Sequence, residues 1–135
     1  MENSFEPGIL KKLRADKCSK LLIINPPENY LKLFSTPEPD TVFLANDKGK
    51  YDFVQVFGSN RSELETLLIQ VKDAGKFDAL TWACYPKGGS KIKSDLKREV
   101  VWELFELIKL RAVSQIALDE TWSALRGRPH ELVGK

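Results

Sequence analysis

The residues best placed to do chemistry lie in Pro86-Lys87-Gly88-Gly89-Ser90-Lys91-Ile92-Lys93-Ser94-Asp95. The apolar run before them reads as a strand, and the segment after them reads as a helix. Two adjacent glycines let successive backbone N–H groups converge on one point, which makes a nest for an anion. Lys87, Lys91 and Lys93 add charge around it, with Ser90 between them. In open α/β sheets ligands bind at this edge, where strands end. The pattern GxxxxGK[ST] is absent, so the loop is not a P-loop. Asp95 reads as the cap of the following helix and would oppose a second anion. The expected ligand site is therefore Lys87, Gly88, Gly89, Ser90, Lys91 and Lys93. A plain solvated loop has the same composition.

The remaining reactive residues are few. His130 is the only histidine and follows Arg128-Pro129. It reads as an exposed tail residue, docked against no nucleophile. Cys84 sits among Trp82, Ala83 and Tyr85 and reads as a small packed hydrophobe. Cys18, between Lys17 and Lys20, is expected to have a depressed thiol pKa. One histidine and two cysteines make a four-ligand zinc site unexpected. No acid–base–nucleophile set emerges, so no catalytic residue, cofactor or metal is assigned. Trp82 and Trp122 fall inside predicted strands and should be buried, whereas Trp102 should be partly exposed. Asp119, Glu120 and Arg126 crowd the last predicted hairpin, where opposite charges are structural.

These residues need elements to position them. Aliphatic residues 20–24 read as a buried strand, closed by Pro26-Pro27. Residues 29–34 supply about two helical turns. Residues 41–45 and 52–57 read as strands, separated by the turn Asn46-Asp47-Lys48-Gly49. Asn60 and Glu63 make a capping-box pattern for a helix running to Ala74, with Gly75 after it. A strand over 80–85, a helix from Ser94 or Asp95 to Leu110, and strands over 112–118 and 121–126 complete the order. Strands alternating with helices predict one α/β domain over 1–135: a three-layer, Rossmann-like, mainly parallel sheet of about six strands. Asp119-Glu120 is too short for a crossover, so the last two strands must form an antiparallel hairpin. From Gly127 on, residues 127–135 are expected to be a loose tail.

The order strand, helix, strand, helix, closing hairpin over residues 51–126 resembles the second half of the class I methyltransferase fold. That resemblance implies a methyl-donor site in a Gly-rich turn after the first strand. Here the turn would be Ile24-Asn25-Pro26-Pro27-Glu28, which has no glycine and lacks two N–H groups. Asp47 stands where a ribose-binding acid would be sought. Three motifs, Asp52-Phe53-Val54-Gln55-Val56-Phe57, Trp82-Ala83-Cys84-Tyr85-Pro86-Lys87 and Asp119-Glu120-Thr121-Trp122-Ser123-Ala124-Leu125-Arg126, resemble a family of small bacterial α/β proteins known as a domain of unknown function. That resemblance implies a cytosolic protein and no particular activity.

Composition narrows the classes further. The chain has 135 residues, 42% hydrophobic and 30% charged, which excludes a disordered composition. No apolar run approaches the roughly 18 residues of a membrane helix, and the start Met1-Glu2-Asn3-Ser4 is not a signal peptide. The expected location is the cytoplasm. The net charge of +2 divides into +2 over residues 1–20, −3 over 21–85 and +3 over 86–111. Two basic patches thus flank an acidic middle. The leading expectation is a non-catalytic binding or interaction module for a small anionic ligand or a protein partner. The alternatives are a reduced methyltransferase-like transferase and, last, a weak nucleic-acid binder using both patches.

Overall fold

A computed structural model describes residues 5, 8–34, 38–90 and 92–132. Its core is one five-stranded sheet. The strands are β1 (Leu21–Ile24), β2 (Tyr51–Phe57), β3 (Gly75–Pro86), β4 (Leu110–Ala117) and β5 (Trp122–Pro129), in spatial order β1-β2-β3-β5-β4. β1, β2 and β3 pair in parallel. β5 is antiparallel to both β3 and β4. Four strands therefore run one way, and β5 is inserted against them. The sheet is mixed and has five strands, not a mainly parallel six.

The missing strand is the one expected at residues 41–45. Only Asp40 bridges to β1: Asp40 N–H donates to Leu21 O, and Ile23 N–H donates to Asp40 O, each at 2.8 Å. The chain then leaves the sheet. Val42 and Leu44 are exposed, so alternation on this edge has no second layer to bury it. A 3₁₀ turn follows at Ala45–Asp47. The helix expected at 29–34 is likewise one 3₁₀ turn, Leu31–Leu33. Its Tyr30 is fully buried, pulled into the core instead of lying along a helix face.

Two helices cover one face of the sheet. Helix α2 (Arg61–Val71) is capped as the sequence implies: Glu63 N–H donates to Asn60 Oδ1 at 2.9 Å, and Ser59 N–H donates to Glu63 Oε1 at 2.7 Å. Leu64, Leu68 and Val71 pack into the core with Val101, Leu104 and Phe105 of α3 (Arg98–Leu107). The other face is covered by the four-residue helix α1 (Ile9–Lys12) and by turns, which bury Ile9, Leu13 and Tyr30 against Ile23, Phe53 and Trp82. Trp82 is buried and donates its Nε1–H to Leu13 O at 3.1 Å. Among the described residues no helix is long and apolar enough to cross a membrane.

Several boundaries differ from expectation: α3 runs only from Arg98 to Leu107 and β4 already begins at Leu110. α2 stops at Val71, and Gly75 already belongs to β3. Between the pairs Tyr51↔Gly75 and Phe53↔Leu80, β3 advances five residues while β2 advances two. The surplus forms a bulge that carries Phe77 outward, 69% exposed. At the other end, β5 runs through Gly127 to Pro129 and a 3₁₀ turn continues to Leu132, where a loose tail was expected. Arg128 holds this end down with a two-pronged bond to Asp78, Nε to Oδ1 at 2.9 Å and Nη2 to Oδ2 at 2.6 Å. Residues 133–135 lie outside the described residues.

Gly127 must be glycine for a steric reason. A Cβ there would stand 2.9–3.1 Å from three atoms of the Phe105 ring. Gly127→Ala should cost about 1–3 kcal/mol as overpacking. Urea unfolding checks this, and a change under about 0.5 kcal/mol, the usual surface range, would refute it. The second prediction concerns acid. The Arg128 fork holds the Asp78 carboxyl below its ordinary range. The unfolded chain therefore takes up this proton first as pH falls. The stabilisation is complete above about pH 4 and is lost as pH falls through the lower folded value. Melting temperatures of the wild type and Asp78→Asn should differ at pH 7 and converge toward pH 2; a gap that persists at pH 2 counts against the assignment.

Candidate functional site

The Gly-Gly loop leaves the carboxyl end of β3 and is anchored to the β4–β5 turn. Lys87 N–H donates to Thr121 O at 2.7 Å. Ser90 N–H then returns to Lys87 O at 3.1 Å, closing a tight turn. Gly89 has φ +82°, which favours glycine. Among the described residues the N–H groups of Gly88 and Gly89 have no partner, and both glycines are exposed. Lys87, Gly88, Gly89, Ser90 and Lys93 border one cavity of about 290 Å³. Five of the six expected residues are thus brought together, and Lys91 lies outside the described residues.

Asp95 does something other than cap the helix that follows it. α3 begins at Arg98, with Lys97 at its N-cap position and no side-chain cap. The Asp95 carboxylate instead accepts Arg61 N–H at 2.8 Å, at the start of α2. It therefore stabilises the free N–H end of a helix 34 residues back in sequence. Sequence spacing alone had no means of showing this pairing.

The next strand ends present a closed surface. After β1, Asn25 takes φ +60° and donates its Nδ2–H to Phe57 O at 2.9 Å. Pro26 and Pro27 follow. Tyr30 then turns back over the sheet, edge-on to Phe57 at 4.9 Å between ring centres and to Phe34 at 5.5 Å. Its hydroxyl donates to Gln55 Oε1 at 2.6 Å. Trp122 packs on Phe57 from the other side at 5.2 Å. Asp47 lies at the opposite edge, before β2 begins, 3.7 Å from Lys20 Nζ.

The thiols are held in their neutral form. Burial pushes the Cys84 thiol well up, and Gln55 Nε2–H donates to its sulfur at 3.2 Å. The Cys18 thiol is pushed up to about 11, first by burial and then by the charges of Asp52 and Asp16. The depression expected from Lys17 and Lys20 is overturned, because burial disfavours the thiolate and two carboxylates add to that effect. His130 is half-buried rather than loose in a tail. Its Nε2 sits 2.8 Å from Glu106 Oε1 and 3.1 Å from Leu110 O. That contact ties the end of β5 to the end of α3, with no nucleophile beside it. Trp122 is buried and Trp102 is 40% exposed beneath the Arg98 guanidinium, as the strand and helix positions imply. Among the described residues no cluster of His, Cys, Asp and Glu could hold a metal ion.

No protein-family model matches the chain. No curated protein matches it either. Solved structures do. A SAM-dependent methyltransferase from Aquifex aeolicus is similar with a TM-score of 0.52 at 11% identity, over 90% of this chain and 93% of that one. PigF with SAH gives 0.58 at 12% identity, over 92% of this chain and 61% of that one. The 16S rRNA (adenine(1408)-N(1))-methyltransferase from Catenulisporales acidiphilia gives 0.54 at 11% identity, over 92% and 91%. At such identities the likeness is one of fold. The inserted antiparallel strand and the parallel β1-β2-β3 run make this chain an α/β protein resembling the class I SAM-dependent methyltransferases.

Proposed function

We propose that the chain is a binding protein on a reduced methyltransferase-like fold, taking a small anion at the loop after β3. The observation that carries this reading is the pair of unpartnered N–H groups at Gly88 and Gly89, with Lys87 and Lys93 beside the same cavity. Oriented N–H groups and ammonium groups together select an anion. The cavity, about 290 Å³, lies at the lower limit of ligand pockets, roughly 300–1,000 Å³, which suits a small ligand. A cytoplasmic location belongs to the same reading.

The structural neighbours favour a second reading, a methyl transferase proper, over a module unrelated to catalysis. The turn after β1 does not fit that cofactor. It offers no glycine, and two of its residues have no N–H to donate. The Asn25 amide is engaged by Phe57 O. Tyr30 fills the space over Phe57, and Asp47 stands at the wrong edge to meet a ribose. For these reasons no methyl-transfer step is derived.

Two measurements test the proposal. Phosphate titrated into the full chain should shift the amide resonances of Gly88 and Gly89, and Lys87→Ala/Lys93→Ala should weaken binding about tenfold or more, as expected on loss of charge-assisted contacts. Unchanged affinity in the double variant would sink the loop site. Binding of S-adenosylmethionine at millimolar concentration, with shifts around Asn25 and Tyr30, would install the transferase instead. The thiols provide a separate check on catalysis through cysteine. With a thiol pKa of about 11, Cys18 is only about one part in a thousand thiolate at pH 8. Iodoacetamide should label Cys18 slowly and Cys84 only after unfolding; native labelling at the rate of a free cysteine would contradict both assignments.

A further inference from the structure

The opposite edge of the sheet gathers more cations than anions. Arg14, Lys17, Lys76 and Arg126 border a cavity of about 320 Å³ at the starts of β2 and β3. Among the described residues none of the four is in an ion pair. Two carboxylates share this cavity, and both are engaged elsewhere. Asp52 accepts the N–H groups of Ser19 and Lys20, each at 2.9 Å, and the Ser19 hydroxyl at 3.1 Å. Asp78 is held by Arg128 through both oxygens.

Arg126 is the least comfortable of the four. It lies opposite Trp82 in the β3–β5 register, on the face that α1 covers. Its Nε is buried and has no hydrogen-bond partner. A buried donor without a partner costs free energy, and a guanidinium cannot escape by losing its proton. Burial, and then the charges of Arg14 and Arg128, press its pKa below the ordinary arginine value. An anion in the cavity would answer both the missing bond and the repulsion. Beside it the β3 bulge raises Phe77, 69% exposed, at the rim of the cavity. Bulges are common next to functional sites because they re-aim side chains.

We propose that this cavity binds the phosphate group of a small phosphate ester, with a planar ring of the ligand stacked on Phe77. Arg126 and Arg14 supply forked donors suited to phosphate oxygens, and Lys17 and Lys76 supply charge at the mouth. The site is separate from the Gly-Gly loop, which lies at the other end of β3.

The test uses the full chain, AMP and ribose 5-phosphate, read by amide resonances and calorimetry. AMP should shift Arg14, Lys76, Phe77 and Arg126, and bind more tightly than ribose 5-phosphate. Phe77→Ala should erase that difference. Arg126→Gln should weaken AMP about tenfold or more. Arg14→Gly is the variant that guards against misfolding. Arg14 has φ +65°, a conformation glycine adopts freely, so the variant should keep the fold and still lose AMP affinity. Lys87→Ala/Lys93→Ala should leave AMP binding unchanged. Absence of shifts at millimolar AMP, or unchanged affinity in both arginine variants, would overturn the site. So would loss of AMP binding in the double lysine variant, which would place the ligand on the Gly-Gly loop.

Discussion

Gln55 is a fully buried amide in the middle of β2, and the structure closes around satisfying it. Its oxygen accepts the Tyr30 hydroxyl and its nitrogen donates to Cys84 sulfur. Leaving either end unmatched would cost about 1–3 kcal/mol in the core. Those two bonds join three segments: the turn after β1, the second strand and the third. They also fix where the Tyr30 ring lies, edge-on to Phe57 and beneath the aromatic layer completed by Phe34 and Trp122. A polar need inside the sheet thus determines the shape of its carboxyl edge. The same bonds that secure the fold close the crevice outside the strand ends, where open α/β sheets commonly bind ligands.

The second constraint is the shortness of the link between β4 and β5. Asp119, buried, accepts the N–H groups of Thr121 and Trp122 at 2.8 and 2.7 Å and turns the chain within the four residues between β4 and β5. A link that short forces antiparallel pairing. β5 then slots between β3 and β4 and pairs with both. That insertion produces the methyltransferase-like order. The hairpin carries the topology, and topology by itself assigns no activity.

How much was legible in the sequence follows from which forces were local. The α2 cap was readable because Asn60 and Glu63 are three residues apart and accept from N–H groups within the same turn, those of Glu63 and Ser59. The hairpin was readable because Asp119-Glu120 leaves no room for a crossover, and the link of four residues in the structure leaves none either. β1 was readable as a continuous aliphatic run with both faces buried. The failures are non-local. Residues 41–45 have strand composition, yet only Phe43 packs on the core, and Val42 and Leu44 stay exposed. The start of β3 was placed five residues late, because a bulge breaks the alternation that marks a strand. Asp95 was assigned to the nearest helix in sequence and serves one reached only in three dimensions. The sequence neighbours of Cys18 are lysines, but its thiol is governed first by burial and then by Asp52 and Asp16.

Charge shows the same limit most sharply. The two basic stretches seen in the sequence do not share a cavity in the described structure. Lys87 and Lys93 stand at the carboxyl edge, Arg14 and Lys17 at the opposite one. The partners of Arg14 and Lys17 are Lys76, from the segment that sums to −3, and Arg126, from one that sums to zero. Net charge along the chain hides this because it does not show that the two acids of the cavity, Asp78 and Asp52, are bound to Arg128 and to backbone N–H groups. Like charges brought within one cavity raise the free energy of the fold unless something opposes them. An arginine on a central strand with a buried, unpartnered Nε is hard to account for by packing alone, since a leucine or methionine would fill the same space without the penalty. The cation cluster is therefore better understood as built for a ligand than as a surface that happened to be basic.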